Sequence, residues 1–109
     1  MKLKFNILQL DAKQKTSRPF LYQGWEKVEN LFDISRYDRV WSDEWQQDAN
    51  TSWVSLTAVL DGIFERFNNA HPDGYNGRSL SISDIVEFPD LGLRFYCDYC
   101  GWTTIFKNS

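Results

Sequence analysis

Hydrophobic and polar positions alternate at the start of the chain. Leu3, Phe5 and Ile7 share one side of a period-two pattern, and Lys2, Lys4 and Asn6 share the other. That is the period of a strand with one buried face, so a strand is predicted over Lys2–Leu10. Leu8 and Leu10 fall out of phase, which predicts a bulge or a strand end. Residues 11–17 are polar and read as a loop. A short strand is expected over 18–23, with Pro19 restricting it to an edge or a strand start, and Gly24 ends it. Trp25, Val28, Leu31 and Phe32 then recur at helical spacing, with Glu26, Lys27, Glu29 and Asn30 outside, predicting a short helix over 25–32. Over 36–41, Tyr37 and Val40 alternate imperfectly.

The strongest helical pattern covers residues 57–69. Val59, Leu60, Ile63, Phe64 and Phe67 form its apolar stripe, and Asp61, Glu65, Arg66 and Asn68 lie off it. Ser55 or Thr57 supplies a cap, and Asn68, Asn69 and Pro72 end the helix. Gly62 inside it costs roughly 1 kcal/mol relative to Ala, which predicts close packing of the helix backbone on a neighbouring element, such as a strand. A polar loop containing Pro72, Gly74 and Gly77 follows. Residues 82–88, 91–97 and 102–106 then read as three antiparallel strands, with turns at 89–92 and 98–101. The sum is a single α+β domain over residues 1–109. It has a mainly antiparallel sheet, a C-terminal three-stranded meander, and two helices packed on one face.

Composition sharpens this picture in two ways. Aromatic residues make up 17% of the 109 residues, so the core is built of few, large pieces, with some aromatics left to favour partner binding at the surface. The net charge of −3 is unevenly spread: residues 1–30 carry six Lys/Arg and three Asp/Glu, and residues 31–109 carry six and twelve. A sequence pI near 5.0 argues against a dedicated nucleic-acid binder, whose domain is usually basic. An acidic surface suits a basic partner instead. No stretch approaches the ~20 apolar residues of a membrane span, and the N-terminus lacks the pattern of a signal peptide. The expected location is the cytoplasm, where two Cys suggest no disulfide framework.

Residues 41–53 combine Asp43, Glu44 and Asp48 with Trp41, Trp45 and Trp53, and carry no base. One reading is a surface loop whose tryptophans pack back onto the sheet. The other is an acidic, aromatic patch for a partner, since Trp is enriched at binding hot spots.

Three further groups carry residue types used in chemistry. Cys97 and Cys100 form a CxxC, but a closed zinc site needs about four ligands, and His71 is the only other soft candidate. A redox motif of the thioredoxin type should open a helix; this one precedes a glycine and a strand. Both thiols therefore read as packing residues, and no cofactor or metal is expected. His71 with Ser79, Ser81 or Ser83 and Asp84 or Asp98 has the composition of a Ser–His–Asp triad, but no G-x-S-x-G elbow is present. The run of residues 77–84, GRSLSISD, reads first as turn chemistry, since Ser and Asp side chains bind nearby backbone N–H groups. Turn chemistry explains every residue of it except Arg78; the functional reading is a polar ridge of Arg78, Ser79, Ser81 and Ser83 that meets a partner or a phosphate.

The run GRSLSISD also carries a family resemblance. Arg66, Phe67 and Asn68, then His71 and Pro72, then Gly77, Ser79, Leu80, Ser81, Ser83 and Asp84, and finally Tyr96, Asp98 and Gly101 resemble in order and spacing the signature of the YodL-like domain family. Those are small domains of Firmicutes phages, conjugative elements and related mobile DNA. The match is close over about residues 57–106 and looser through Arg18–Pro19–Phe20 and Tyr37–Asp38–Arg39–Val40, where it favours a strand. The resemblance implies a genomic setting and no known chemistry.

From that setting the expected function is a small non-enzymatic protein that binds and inhibits a host defence protein, a CRISPR effector or a restriction enzyme. The expected contacts are Trp41, Asp43, Glu44, Trp45, Asp48, Trp53 and Arg78. A nucleic-acid accessory module of DNA-processing machinery is the alternative, with Lys2, Lys4, Lys13, Lys15 and Arg18 as its footprint. A hydrolase or metal enzyme is a third, requiring His71 and the serines or cysteines to converge.

Overall fold

The computed structural model describes residues 2–46 and 56–105. Five strands form one antiparallel sheet in the order β2-β1-β3-β4-β5. They are β1 (Lys2–Leu10), β2 (Tyr37–Gln46), β3 (Ile85–Phe88), β4 (Leu93–Asp98) and β5 (Gly101–Ile105). β3, β4 and β5 make the expected C-terminal meander. The two helices are α1 (Trp25–Val28) and α2 (Leu56–Asn69). The α+β class is therefore as the sequence pattern predicts.

The helices sit on different faces of the sheet, not on one. Phe5, Ile7, Val86, Phe88 and Phe95 cluster with Val59, Leu60, Ile63 and Phe67 of α2. Leu8, Ile85, Tyr96 and Ile105 cluster with Val28 of α1 and with Phe20, Trp25, Phe32, Ile34 and Tyr37. Neighbouring residues in a strand point to opposite faces. The splits Ile7/Leu8, Ile85/Val86 and Phe95/Tyr96 thus assign α2 to the first face and the segment around α1 to the second. This explains why Leu8 and Leu10 break the alternation of β1. The end of that strand is covered on both sides, so Ile7, Leu8, Gln9 and Leu10 are all buried. The irregularity in pairing falls on β2: Ile7 faces Trp41 and Leu8 faces Arg39, leaving Val40 as the extra residue of a bulge.

The second face is only half covered. Beyond the α1 segment a polar ladder crosses four strands. Ser42 Oγ donates to Asn6 Oδ1 at 2.7 Å, Asn6 Nδ2 donates to Glu87 Oε1 at 3.0 Å, and Arg94 Nε donates to Glu87 Oε2 at 2.7 Å. Cross-strand pairs of this kind fix register where no apolar cluster does.

Other elements differ in form or bounds from the sequence expectation. Residues 18–23 form turns, not a strand: the Phe20 and Leu21 amides donate to the Ser17 carbonyl at 2.9 and 3.1 Å, and Tyr22 has φ of +60°. The helix expected over 25–32 is α1 followed by a 3-10 turn, Glu29–Leu31, with Val28 between them at φ −110°. β3 starts at Ile85 and not at 82, because residues 81–84 turn: the Asp84 amide donates to the Ser81 carbonyl at 3.1 Å. β4 starts at Leu93, after a 3-10 turn ended by Gly92 at φ +66°. Gly92 supplies there a left-handed conformation that side chains disfavour.

Candidate functional site

The segment singled out for its acids and tryptophans begins as strand, not loop. Trp41–Gln46 is the second half of β2, at an edge of the sheet. Asp48 and Trp53 lie outside the described residues. Strand alternation divides the rest. Trp41, Asp43 and Trp45 pair with Ile7, Phe5 and Leu3 and share the face covered by α2. Glu44 pairs with Lys4 on the other face, and its carboxylate lies 3.9 Å from Lys2 Nζ. Both tryptophans are half-buried and pack inward. Trp41 meets the rings of Phe67 and Tyr75 edge-on at 6.5 and 5.7 Å, and its Nε1 donates to Asp43 Oδ2 at 3.1 Å. Trp45 lies against α2 at Gly62. The sequence reading of one acidic, aromatic patch therefore resolves into a half-buried aromatic row with Asp43 beside it, and Glu44 on the opposite side of the same edge.

Arg78 stands elsewhere, at the end of the sheet, inside a network around Asp84. Asp84 is fully buried. Its Oδ2 accepts from Gln9 Nε2 at 3.1 Å and from the Ser81 amide at 2.9 Å. Its Oδ1 has no hydrogen-bond partner among the described residues and lies 3.6 Å from Arg78 Nη2. Burial pushes the Asp84 carboxyl up to about 7, against the opposing pull of the Ser81 amide, Arg78 and Gln9. Arg78 is tied inward as well. Its Nη2 donates to the Leu10 carbonyl at 2.8 Å, and its guanidinium stands 5.9 Å from the centre of the Tyr22 ring.

Gln9, which the sequence reading passed over, joins the two. Its amide donates to the Arg78 carbonyl at 2.9 Å and accepts from the Arg78 amide at 3.0 Å. The signal was there: a Gln inside the apolar run of residues 7–10. Ser83, at φ +89°, completes the brace. Its Oγ accepts from the Tyr22 amide at 3.2 Å, and its carbonyl accepts from the Tyr37 hydroxyl at 2.7 Å. The run GRSLSISD thus ties the head of β3 to β1, β2 and the loop before α1. Arg78, the residue that turn chemistry left over, belongs to the same brace.

His71 does meet a serine, through a ring nitrogen that is also engaged by a backbone carbonyl. Its Nε2 contacts both the Phe67 carbonyl and Ser79 Oγ, the latter at 3.3 Å. The carbonyl can only accept, so Nε2 carries the proton. A general base needs a free lone pair on the nitrogen that faces the hydroxyl. The CxxC is likewise divided: Cys97 is buried, Cys100 is exposed, and both are free thiols. Burial, then the charges of Asp84 and Asp98, push the Cys97 thiol up to about 12, the opposite of a reactive thiolate. Asp98 keeps a different role. Burial acts to raise its carboxyl, but bonds from the Thr103 hydroxyl and the Tyr99 and Trp25 amides outweigh it and hold it low. Those bonds close the β4–β5 turn and anchor the start of α1.

Among the described residues, no three His, Cys, Asp or Glu side chains are grouped to hold a metal ion. None of the described helices is long and apolar enough to cross a membrane. The model of the YodL-like domain matches residues 4–107, nearly the whole chain and not only its second half. No curated protein and no solved structure matches the chain.

Proposed function

The chain belongs to the YodL-like domain family, and from that premise and the geometry of β2 we propose a small non-enzymatic binding protein of a phage or mobile element. It acts in the host cytoplasm by occupying a basic surface on a host defence protein, a CRISPR effector or a restriction enzyme. The observation that carries the reading is the β2 edge. β2 is ten residues long and terminates the sheet. Asp38, Asp43 and Glu44 are spread along it, against one base, Arg39. A partner approaching edge-on meets acids from both faces at once, with the half-buried rings of Trp41 and Trp45 behind Asp43. Acids arrayed on a rigid strand suit the basic channel of a nucleic-acid enzyme, and they speed encounter with it.

The accessory-module reading has less support. Its basic footprint is divided, because Lys2 and Lys4 stand beside Glu44 while Lys13, Lys15 and Arg18 lie in the loop after β1. The test of the proposal is charge reversal at Asp43, Glu44 and Asp48 in an assay of defence inhibition. Inhibition should weaken at least about tenfold, with the circular dichroism spectrum unchanged. Full inhibition by the folded variant would exclude this edge.

A further inference from the structure

A large cleft lies away from β2. It lies on the second face, where the segment around α1 overhangs β4 and β5, and its volume is about 640 Å³. Four other clefts hold about 260 Å³ or less. Ligand sites typically span ~300–1,000 Å³. Trp25, Phe32, Ile34 and Ile105 supply its apolar lining.

Thr103 and Ile105 oppose Tyr96 and Arg94, so their side chains point to this face. Thr104 opposes Phe95 and points to the other face, yet it also lines the cleft. The cleft therefore reaches the backbone of β5 at Thr104 as well as the side chains of Thr103 and Ile105. Among the described residues β5 ends the sheet, and an edge strand presents a row of N–H and C=O groups able to pair with an added strand. The other edge is guarded against strand pairing by a bulge at Val40 and by charged residues. β5 has neither: its sequence is GWTTI, in unbroken register with β4.

Charge selects the occupant. Glu29 and Asp33 lie in the lining, and the only base there, Arg94, is already bonded to Glu87 at 2.7 Å. Arg36 acts on Asp33 from outside the lining, but its guanidinium donates to the Leu31 carbonyl at 2.8 Å and stands 4.6 Å from the centre of the Phe20 ring. A second copy of this chain pairing through β5 would bring its own two acids into the same space. A basic residue is attracted instead.

We propose that this cleft is a second binding site, distinct from the β2 edge. It takes an extended peptide segment in which Lys or Arg alternates with apolar residues, added to the sheet beside β5. Backbone pairing supplies affinity, and alternate side chains enter the cleft, as in other strand additions.

The test uses two short labelled peptides, one alternating valine with lysine and one alternating valine with glutamate, read by fluorescence anisotropy and amide hydrogen exchange. The lysine peptide should bind at least about tenfold tighter and slow exchange at Thr104. Glu29→Gln with Asp33→Asn removes the charge and keeps the acceptor atoms, so the fold stands and the tenfold preference should vanish. Thr104→Pro should abolish binding of the peptide. Asp43→Lys with Glu44→Lys should leave it unchanged, which separates this site from the β2 edge. Equal binding of both peptides, or protection that maps to β2, would overturn the proposal. So would sedimentation showing a dimer in which Thr104 is protected without peptide.

Discussion

The indole of Trp45 occupies the space that a side chain at Gly62 would need. A Cβ built at Gly62 would lie 2.6 Å from Trp45 Cη2 and 2.8 Å from Cζ2. This is the close approach that a glycine in the middle of an amphipathic helix predicts, and it locks α2 onto the edge strand. Gly62→Ala gains roughly 1 kcal/mol of helix propensity and incurs an overpacking cost of roughly 1–3 kcal/mol. The variant should therefore be less stable than the parent in urea denaturation. In a Trp45→Ala background the same change should stabilise, since only the propensity gain remains. Additive effects of the two substitutions would show that the contact carries no coupling.

Asp84 makes stability depend on pH in an unusual direction. Its carboxyl is raised to about 7 by burial, whereas in the unfolded chain it titrates near ~4. Between those values the folded state binds more protons, so stability falls as pH rises across that window. Asp33 and Asp98 are shifted downward and act in the opposite direction at lower pH. Denaturation midpoints measured from pH 4 to pH 7 should decline, and Asp84→Asn should flatten the decline. A slope unchanged by the substitution would remove Asp84 as its source.

The two cysteines should react unequally. Cys100 is exposed, and Cys97 is buried with its thiol raised to about 12. A thiol reagent at pH 8 should label one site in the folded protein and both in denaturant. Rapid labelling at Cys97 under native conditions would contradict the packing.

Much of the fold is legible in the sequence because local patterns coincide with tertiary ones. The stripe from Val59 to Phe67 marks α2, and the alternation from Leu3 to Ile7 marks β1. What stays hidden depends on long-range partners. Leu8 breaks the period only because a second layer covers it, and nothing local to residues 18–23 shows that no strand stands ready to pair with them. The same holds for the site. The acids and tryptophans of residues 41–46 stand out by composition, but which face each takes follows from pairing with β1. Arg78 reads as a surface contact until Gln9 and Asp84, distant in sequence, are brought to it.

The most direct test of the central claim is affinity capture of the tagged protein from a Firmicute host, with and without nuclease, beside the Asp43→Lys, Glu44→Lys variant. If the acids of the β2 edge bind a basic host protein, one dominant partner survives nuclease and is lost with the variant. Loss of every partner with nuclease, or an equal yield from the folded variant, would contradict it.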